Sequence, residues 1–258
     1  MSEVITSRDN PLVKRLRTLA QDNAAYRKLG HIWLEGDHLC RALLARGRWP
    51  DMVVYAPSQT AVVQGWGLPT TVRQVVMAEA LLRQISGLES PALVGGVLAL
   101  PEAPVVLPSV PTVVLDRLQD PGNVGSILRS AAAFGFRQVL AFKGTAALWS
   151  PKVLRAGMGA HFGLHLVEGC APEALAALQL PLLATSSHQG DYVHQGRLPW
   201  PCAWLLGHEG QGVAPELLAQ ATHTVRIAQP GGEESLNVAA AAAICLHTSA
   251  LQMGVLGH

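Results

Sequence analysis

Two periodicities alternate along this chain. Short apolar runs of strand length are separated by stretches in which apolar residues recur every three or four positions, the spacing of a helix with one buried face. In NPLVKRLRTLA, Asn10 is a natural N-cap and Pro11 suits the first helical turn. Val13, Leu16 and Leu19 share one face, and Lys14, Arg15 and Arg17 fall largely on others. HIWLEG reads as a strand and DHLCRALLARG as a helix, with Asp37 near its start and Gly47 past its end. DMVVYAP, AEALLRQIS and PALVGGVLAL continue as strand, helix and apolar strand, which together predict a small α/β domain.

LPEAPVVLPSVP, residues 100–111, interrupts the pattern with four prolines, and it is the candidate linker because proline fixes φ and removes a ladder donor. Beyond it TVVLD and QVLAF flank the helical pattern NVGSILRSAAAFG, and LHLVEG, PLLATS, AWLLG and TVRIA are further short apolar strands. Helical patterns separate most of them, which predicts a mostly parallel sheet covered on both faces. The expected organisation is a smaller α/β domain over 1–100, a linker over 101–111 and a larger α/β domain over 112–258.

Composition adds boundaries. Of 258 residues 49% are hydrophobic and 14% charged, which excludes a disordered chain. No apolar run approaches the roughly 20 residues of a membrane span, and the polar opening MSEVITSRDN does not read as a secretion signal. Cys40, Cys170, Cys202 and Cys245 lie far apart with no CxxC pair, so reduced thiols and a cytoplasmic location are expected, with neither a metal site nor a disulfide framework. The net charge is only +1, but residues 1–50 hold 9 Lys/Arg against 5 Asp/Glu. That surplus suits a phosphate backbone or simply a solvated helix face.

Ligands of parallel α/β sheets bind at loops beyond the carboxyl ends of the strands, and three such loops here are unusually polar. In LDRLQDPGNVGSILRSAAAFG, Pro121 and Gly122 set a turn, Asn123 is placed to cap the helix, and Arg129 projects from its second turn. In LLGHEGQGVAPELL, Gly207, Gly210 and Gly212 surround Glu209 and permit close backbone approach or positive φ. This is neither GxGxxG nor HExxH. In RIAQPGGEESLNVAAAAA, Gly231 and Gly232 allow a sharp turn, Ser235 and Asn237 suit a cap or a ligand, and Ala239 to Ala243 permit close helix packing.

In order and spacing these three loops closely resemble the motifs of the SpoU (TrmH) family of RNA ribose 2′-O-methyltransferases, within the SPOUT superfamily. The similarity covers roughly residues 110–250, with SPKVLRAGMGA resembling the family's intervening segment, and the N-terminal segment is similar to the substrate-binding domain often fused ahead of the catalytic one. The resemblance implies a deep trefoil knot in the C-terminal domain, S-adenosylmethionine as cofactor, a homodimer and RNA as partner, with rRNA favoured over tRNA and no metal or membrane involved. It assigns Asn123, Arg129, Glu209, Ser235 and Asn237 to catalysis and RNA contact. Gly207, Ile227 and Leu236 would hold the cofactor through their backbone, with Thr185 beside them. Lys14, Arg15, Lys152 and Arg155 would meet RNA phosphates. The chain departs from the family at Ala228-Gln229, where Pro-Met is usual. Rival expectations are a catalytically silent RNA-binding module of the same fold and, lacking its glycine fingerprint, a dinucleotide-binding enzyme.

Overall fold

The computed structural model describes residues 4–102, 104–231 and 236–252. Along the chain run α1 (Pro11–Gln21), α2 (Ala25–Leu29), β1 (His31–Glu35), α3 (Asp37–Leu44), β2 (Met52–Tyr55), α4 (Thr60–Gln64), β3 (Arg73–Val76), α5 (Glu79–Ile85) and β4 (Val94–Ala99). Then come β5 (Thr112–Leu115), α6 (Pro121–Ala133), β6 (Gln138–Phe142), α7 (Pro151–Gly157), β7 (His165–Cys170), β8 (Leu182–Thr185), β9 (Asp191–Tyr192), β10 (Ala203–Leu206), α8 (Pro215–Leu218), β11 (His223–Arg226) and α9 (Val238–Gln252). Two compact units result, one from residues 1–102 with 149–162, the other from 103–148 with 163–258. The division is therefore not a single cut in the chain, because α7 packs with β1 and α1 of the first unit.

The first unit holds a four-stranded sheet in the order β1-β4-β2-β3, in which β4 is antiparallel to both neighbours and β2 is parallel to β3. Asn10 caps α1, its Oδ1 accepting from the Leu12 N–H at 2.9 Å, and Val13, Leu16 and Leu19 are buried. The glycine pair inside β4 has a steric cause. A Cβ on Gly95 would sit 2.3 Å from the Trp33 ring and 2.8 Å from the Leu34 carbonyl oxygen on the neighbouring strand. β3 escapes a reading by pattern because two of its four residues are exposed and polar, as an edge strand allows.

The second unit holds seven strands in the order β7-β6-β5-β10-β8-β11-β9, every pair parallel. Side chains alternate across it as the two-residue strand period requires. Leu205 faces a core with Val114, Leu140, Leu182 and Leu217. Trp204 faces the other way and is fully buried, and its Nε1 donates to the Ser249 Oγ of α9 at 2.8 Å. On that side α9 packs along α6. The proline-rich segment is no free tether. Gln138 accepts from the Leu107 N–H at 2.8 Å and donates to its carbonyl at 3.1 Å, and the Ser109 N–H reaches the Leu178 carbonyl, so residues 105–111 are fastened to the second unit.

Ser249→Ala leaves the buried Trp204 N–H without its acceptor, a loss of about 1–3 kcal/mol. Chemical denaturation is expected to show that loss of stability with an unchanged denaturant slope.

Candidate active site

The sheet register brings the loops together. Leu206 of β10 lies level with Leu115 of β5, and Leu205 of β10 and Thr224 of β11 both lie level with Ala184 of β8. Asp116, Gly207, Thr185 and Ile227 therefore emerge at one end of adjacent parallel strands, spaced by roughly 4.8 Å per strand. This is the carboxyl end, where α/β sheets hold their ligands.

Three loops meet there through one chain of side-chain hydrogen bonds. Glu209 Oε1 accepts from the Asp120 N–H at 3.1 Å and from Asn123 Nδ2 at 3.2 Å, and Glu209 Oε2 accepts from the Gln119 N–H at 3.2 Å. With its amide N–H pair facing Glu209, Asn123 presents Oδ1 to Asn237, whose Nδ2 donates at 2.9 Å. Asn237 in turn presents its own Oδ1 to the Ala239 and Ala240 N–H groups and so caps α9. Each amide orientation is fixed by its neighbour, since flipping Asn123 would set a carbonyl oxygen against a carboxylate. Partial burial pushes the Glu209 carboxyl up. The backbone N–H groups of Glu209, Asp120 and Gln119, with Asn123, outweigh that and hold it below its ordinary range.

The structure corrects the expected cap. Asp120, not Asn123, is the N-cap of α6, its Oδ1 accepting from the Asn123 N–H at 2.7 Å. Pro121 takes the first helical position, which sets the cap one residue before it and leaves Asn123 inside the first turn with a free side chain. By the same count Arg129 belongs to the third turn rather than the second. It is exposed, lies outside the relay, and forms no side-chain hydrogen bond or ion pair among the described residues.

Two features hold the loop after β10. A Cβ on Gly207 would lie 2.1 Å from the Val213 nitrogen and 2.2 Å from the Gly212 carbonyl carbon, so only glycine lets the loop close on itself. Gly212 has φ +67° and its N–H returns to the His208 carbonyl at 2.8 Å. Beneath the loop lies Asp116, 2% exposed, which binds Arg117 through both oxygens at 2.8 and 3.0 Å and accepts from the Ala214 N–H at 2.9 Å. Arg117 adopts φ +56° and also donates to Gln211 Oε1 at 3.1 Å. Sequence reasoning passed over Asp116, Arg117 and Gln211. The available signal was an aspartate directly after the wholly apolar TVVL.

Of the other expected site residues, Thr185 donates its hydroxyl to the Leu205 carbonyl at 3.3 Å, and Leu236 is exposed just ahead of Asn237. Ser235 and Gly232 lie outside the described residues. Gly231 has open space around it, so crowding is not what requires glycine there. Lys14, Arg15, Lys152 and Arg155 belong to the first unit. Lys14 pairs with Asp9 at 3.0 Å and Arg15 contacts His31 Nδ1 at 2.7 Å. Lys152 and Arg155 are exposed on α7 without an ion pair among the described residues.

The model of the SpoU rRNA Methylase family matches residues 111–247. An uncharacterised tRNA/rRNA methyltransferase of Synechocystis is 32% identical over 96% of this chain and 93% of its own. The chain belongs to the SpoU family. The chain is also similar to the 23S rRNA guanosine 2′-O-methyltransferase RlmP of Bacillus subtilis, 29% identical over 83% of this chain and 86% of its own. The AdoMet-bound rRNA methyltransferase of Sinorhizobium meliloti superposes with a TM-score of 0.83 at 27% identity, over 96% of this chain and 97% of that one.

Gly207→Ala is expected to force the loop open and destabilise the second unit by about 1–3 kcal/mol, read by thermal unfolding. The Glu209 carboxylate gives a pH signature. Its folded pKa lies below the ordinary 4.5, so its contribution to stability is complete above that value and is lost as pH falls through the lowered one. Glu209→Gln is expected to flatten the stability profile in that acid range.

Proposed function

We propose that this protein transfers the methyl group of S-adenosylmethionine to a ribose 2′-hydroxyl of RNA, with rRNA favoured over tRNA. The observation that carries the reading is the Glu209–Asn123–Asn237 relay, which ties one residue from each SpoU motif into a single polar site at the carboxyl end of a parallel sheet. The preference for rRNA is supported by the Bacillus relative, whose similarity extends over most of the chain.

The residues fit the cofactor. Gln229 Oε1 is buried and has no hydrogen-bond partner, an acceptor suited to an amino group such as adenine or a methionine moiety carries. It stands two residues from Ile227, where the family norm is an apolar Met, so the departure at Ala228-Gln229 adds polarity to the cofactor wall. Gly207, Ile227 and Leu236 would hold the cofactor through their backbone, with Thr185 at the neighbouring strand end. Bound there, S-adenosylmethionine supplies an electrophilic methyl group on sulfonium.

Each site residue then has a separate task. Glu209, acceptor to three groups and held ionised, anchors the loops and is too weak a base to take a hydroxyl proton. Asn237 fixes the start of α9 and Asn123 ties it to Glu209, framing the acceptor ribose. Arg129, exposed and without a side-chain partner among the described residues, holds the RNA phosphate, which would accept the 2′-hydroxyl proton. Ser235 is assigned to the same polar set by the family motif. In the first unit Lys152 and Arg155, with Lys14 and Arg15, supply phosphate contacts.

The reading extends to a trefoil knot, a homodimer and a cytoplasmic location. The knot is supported by the chain path, in which α9 follows β11 yet lies along α6. The dimer is supported by Ile244 and Leu251, exposed one heptad apart on α9. No helix among the described residues is long and apolar enough to cross a membrane.

The test incubates the protein with methyl-labelled S-adenosylmethionine and unmodified total RNA, then digests rRNA and tRNA separately to nucleosides. Label in a 2′-O-methyl nucleoside of rRNA is expected; cofactor binding with no label in either fraction would instead favour the silent RNA-binding module. Arg129→Ala is expected to abolish transfer while calorimetric affinity for S-adenosylmethionine stays unchanged.

A further inference from the structure

Trp49 breaks the rule that the other tryptophans obey. Trp33, Trp66, Trp149 and Trp204 are buried and Trp200 is partly so, whereas Trp49 is 42% exposed. It enters no ring or cation–π contact among the described residues, and the side chains of Arg46 and Arg48 are exposed with neither hydrogen bond nor ion pair among the described residues. A large flat ring left open in a segment with two exposed arginines needs a reason, because a buried or capped ring would be more stable.

The loop that carries it is not loose. The N–H groups of Arg46 and Gly47 bond back to the Leu43 and Leu44 carbonyls at 3.0 and 2.9 Å, continuing the end of α3. Pro50 is buried under β4, where a Cβ on Gly96 would come within 3.2 Å of it. The Asp51 N–H joins the Val97 carbonyl at 2.9 Å. The acidic side chain beside the tryptophan is occupied, since Asp51 Oδ2 accepts from the Ala99 N–H at 2.6 Å. The ring is thus presented on a hydrogen-bonded turn, with Arg46 and Arg48 just before it in the chain.

Sheet register adds neighbours. Met52 of β2 lies level with Arg73 of β3, and Val97 of β4 lies level with Met52, so the residues just before β2 share one sheet end with the start of β3. Ala99 lies level with His31 of β1, whose Nδ1 contacts Arg15. The Arg73 side chain is exposed and, like those of Arg46 and Arg48, without a partner among the described residues. From β1 to β3 this edge spans three strand spacings, roughly 14 Å. That width exceeds the rise between neighbouring bases and allows several phosphates to be met at once.

We propose that this end of the first unit is a binding surface for an unpaired RNA segment, with Trp49 as the platform on which one base stacks and Arg46, Arg48 and Arg73 as phosphate contacts. An exposed indole flanked by unpaired arginines matches what single strands offer, a π-face on every base and a charge on every linkage. A membrane or an apolar protein partner would ask for more apolar surface, and the loop shows no second large exposed hydrophobic residue. The proposal rests on the RNA substrate of the proposed function and adds where that substrate is gripped outside the reaction site.

The experiment measures binding of the full chain to a fluorescent single-stranded RNA of mixed sequence and to a duplex of equal length. Trp49→Ala is expected to weaken single-strand binding roughly ten-fold, as stacking losses do, with Trp49→Phe retaining most of the affinity. Each of Arg46→Ala, Arg48→Ala and Arg73→Ala is expected to flatten the dependence of log affinity on log salt by about 0.7. Unchanged thermal unfolding and S-adenosylmethionine affinity exclude misfolding as the cause. Duplex binding equal to single-strand binding, or Trp49→Ala with wild-type affinity and wild-type KM for RNA, overturns the surface while leaving the proposed reaction standing. Binding through Trp49 by a protein that transfers no methyl group overturns the reaction and leaves the surface.

Discussion

The arrangement at the carboxyl end of the sheet depends on one carboxylate remaining charged among N–H groups. Glu209 sits on the loop after β10, yet its acceptors are filled from the loop that opens α6. Those N–H groups belong to the turn at a helix start, where backbone donors have no intrahelical partner. A neutral or shorter side chain could not satisfy them together. Because the same carboxylate orients Asn123, and Asn123 orients Asn237, the start of α9 is fixed by a residue far away in sequence.

The supports beneath this relay are of a different kind. Asp116, buried, pairs with a partly exposed Arg117, so the Coulomb gain is screened on one side and offset by the desolvation of the carboxylate, and the pair's value lies in geometry more than in stability. It fastens the far side of the β10 loop through Ala214 while Gly207 allows that loop to fold over itself. A strained Arg117 with φ +56° stands where strain is commonly stored, next to a functional loop. The second unit thus holds its polar groups rigidly before any ligand arrives, which reduces the ordering cost of binding.

In the proposed function the two units have different tasks. The second carries the polar relay, and the first carries exposed cations on α7 and near Trp49 whose side chains have no partner among the described residues. Under the two proposals, separate surfaces for chemistry and for grip would allow the reaction site to stay constant while the RNA partner is selected elsewhere. Gln229, whose Oε1 is buried without a hydrogen-bond partner, is the local departure that the proposed function sets against the cofactor.

Much of this was legible in the amino-acid order. Apolar runs such as TVVL and AWLL gave strands because burial on both faces demands it, and the spacing of Val13, Leu16 and Leu19 gave α1 because a helix has one buried stripe. The polar members of the site were legible as residue types at strand ends. What the order could not supply was their mutual contact. That Asp120 rather than Asn123 caps α6, that Asn123 is thereby released to bridge Glu209 and Asn237, and that Asp116 clamps Ala214 all depend on strand order 5-10-8-11, set by long-range pairing. The assignment of residues 149–162 to the first unit, and the exposure of one tryptophan among six, are likewise decided by packing. Sequence fixes local conformation through short-range sterics and burial; which distant groups share a hydrogen bond is decided only when the sheet has chosen its neighbours.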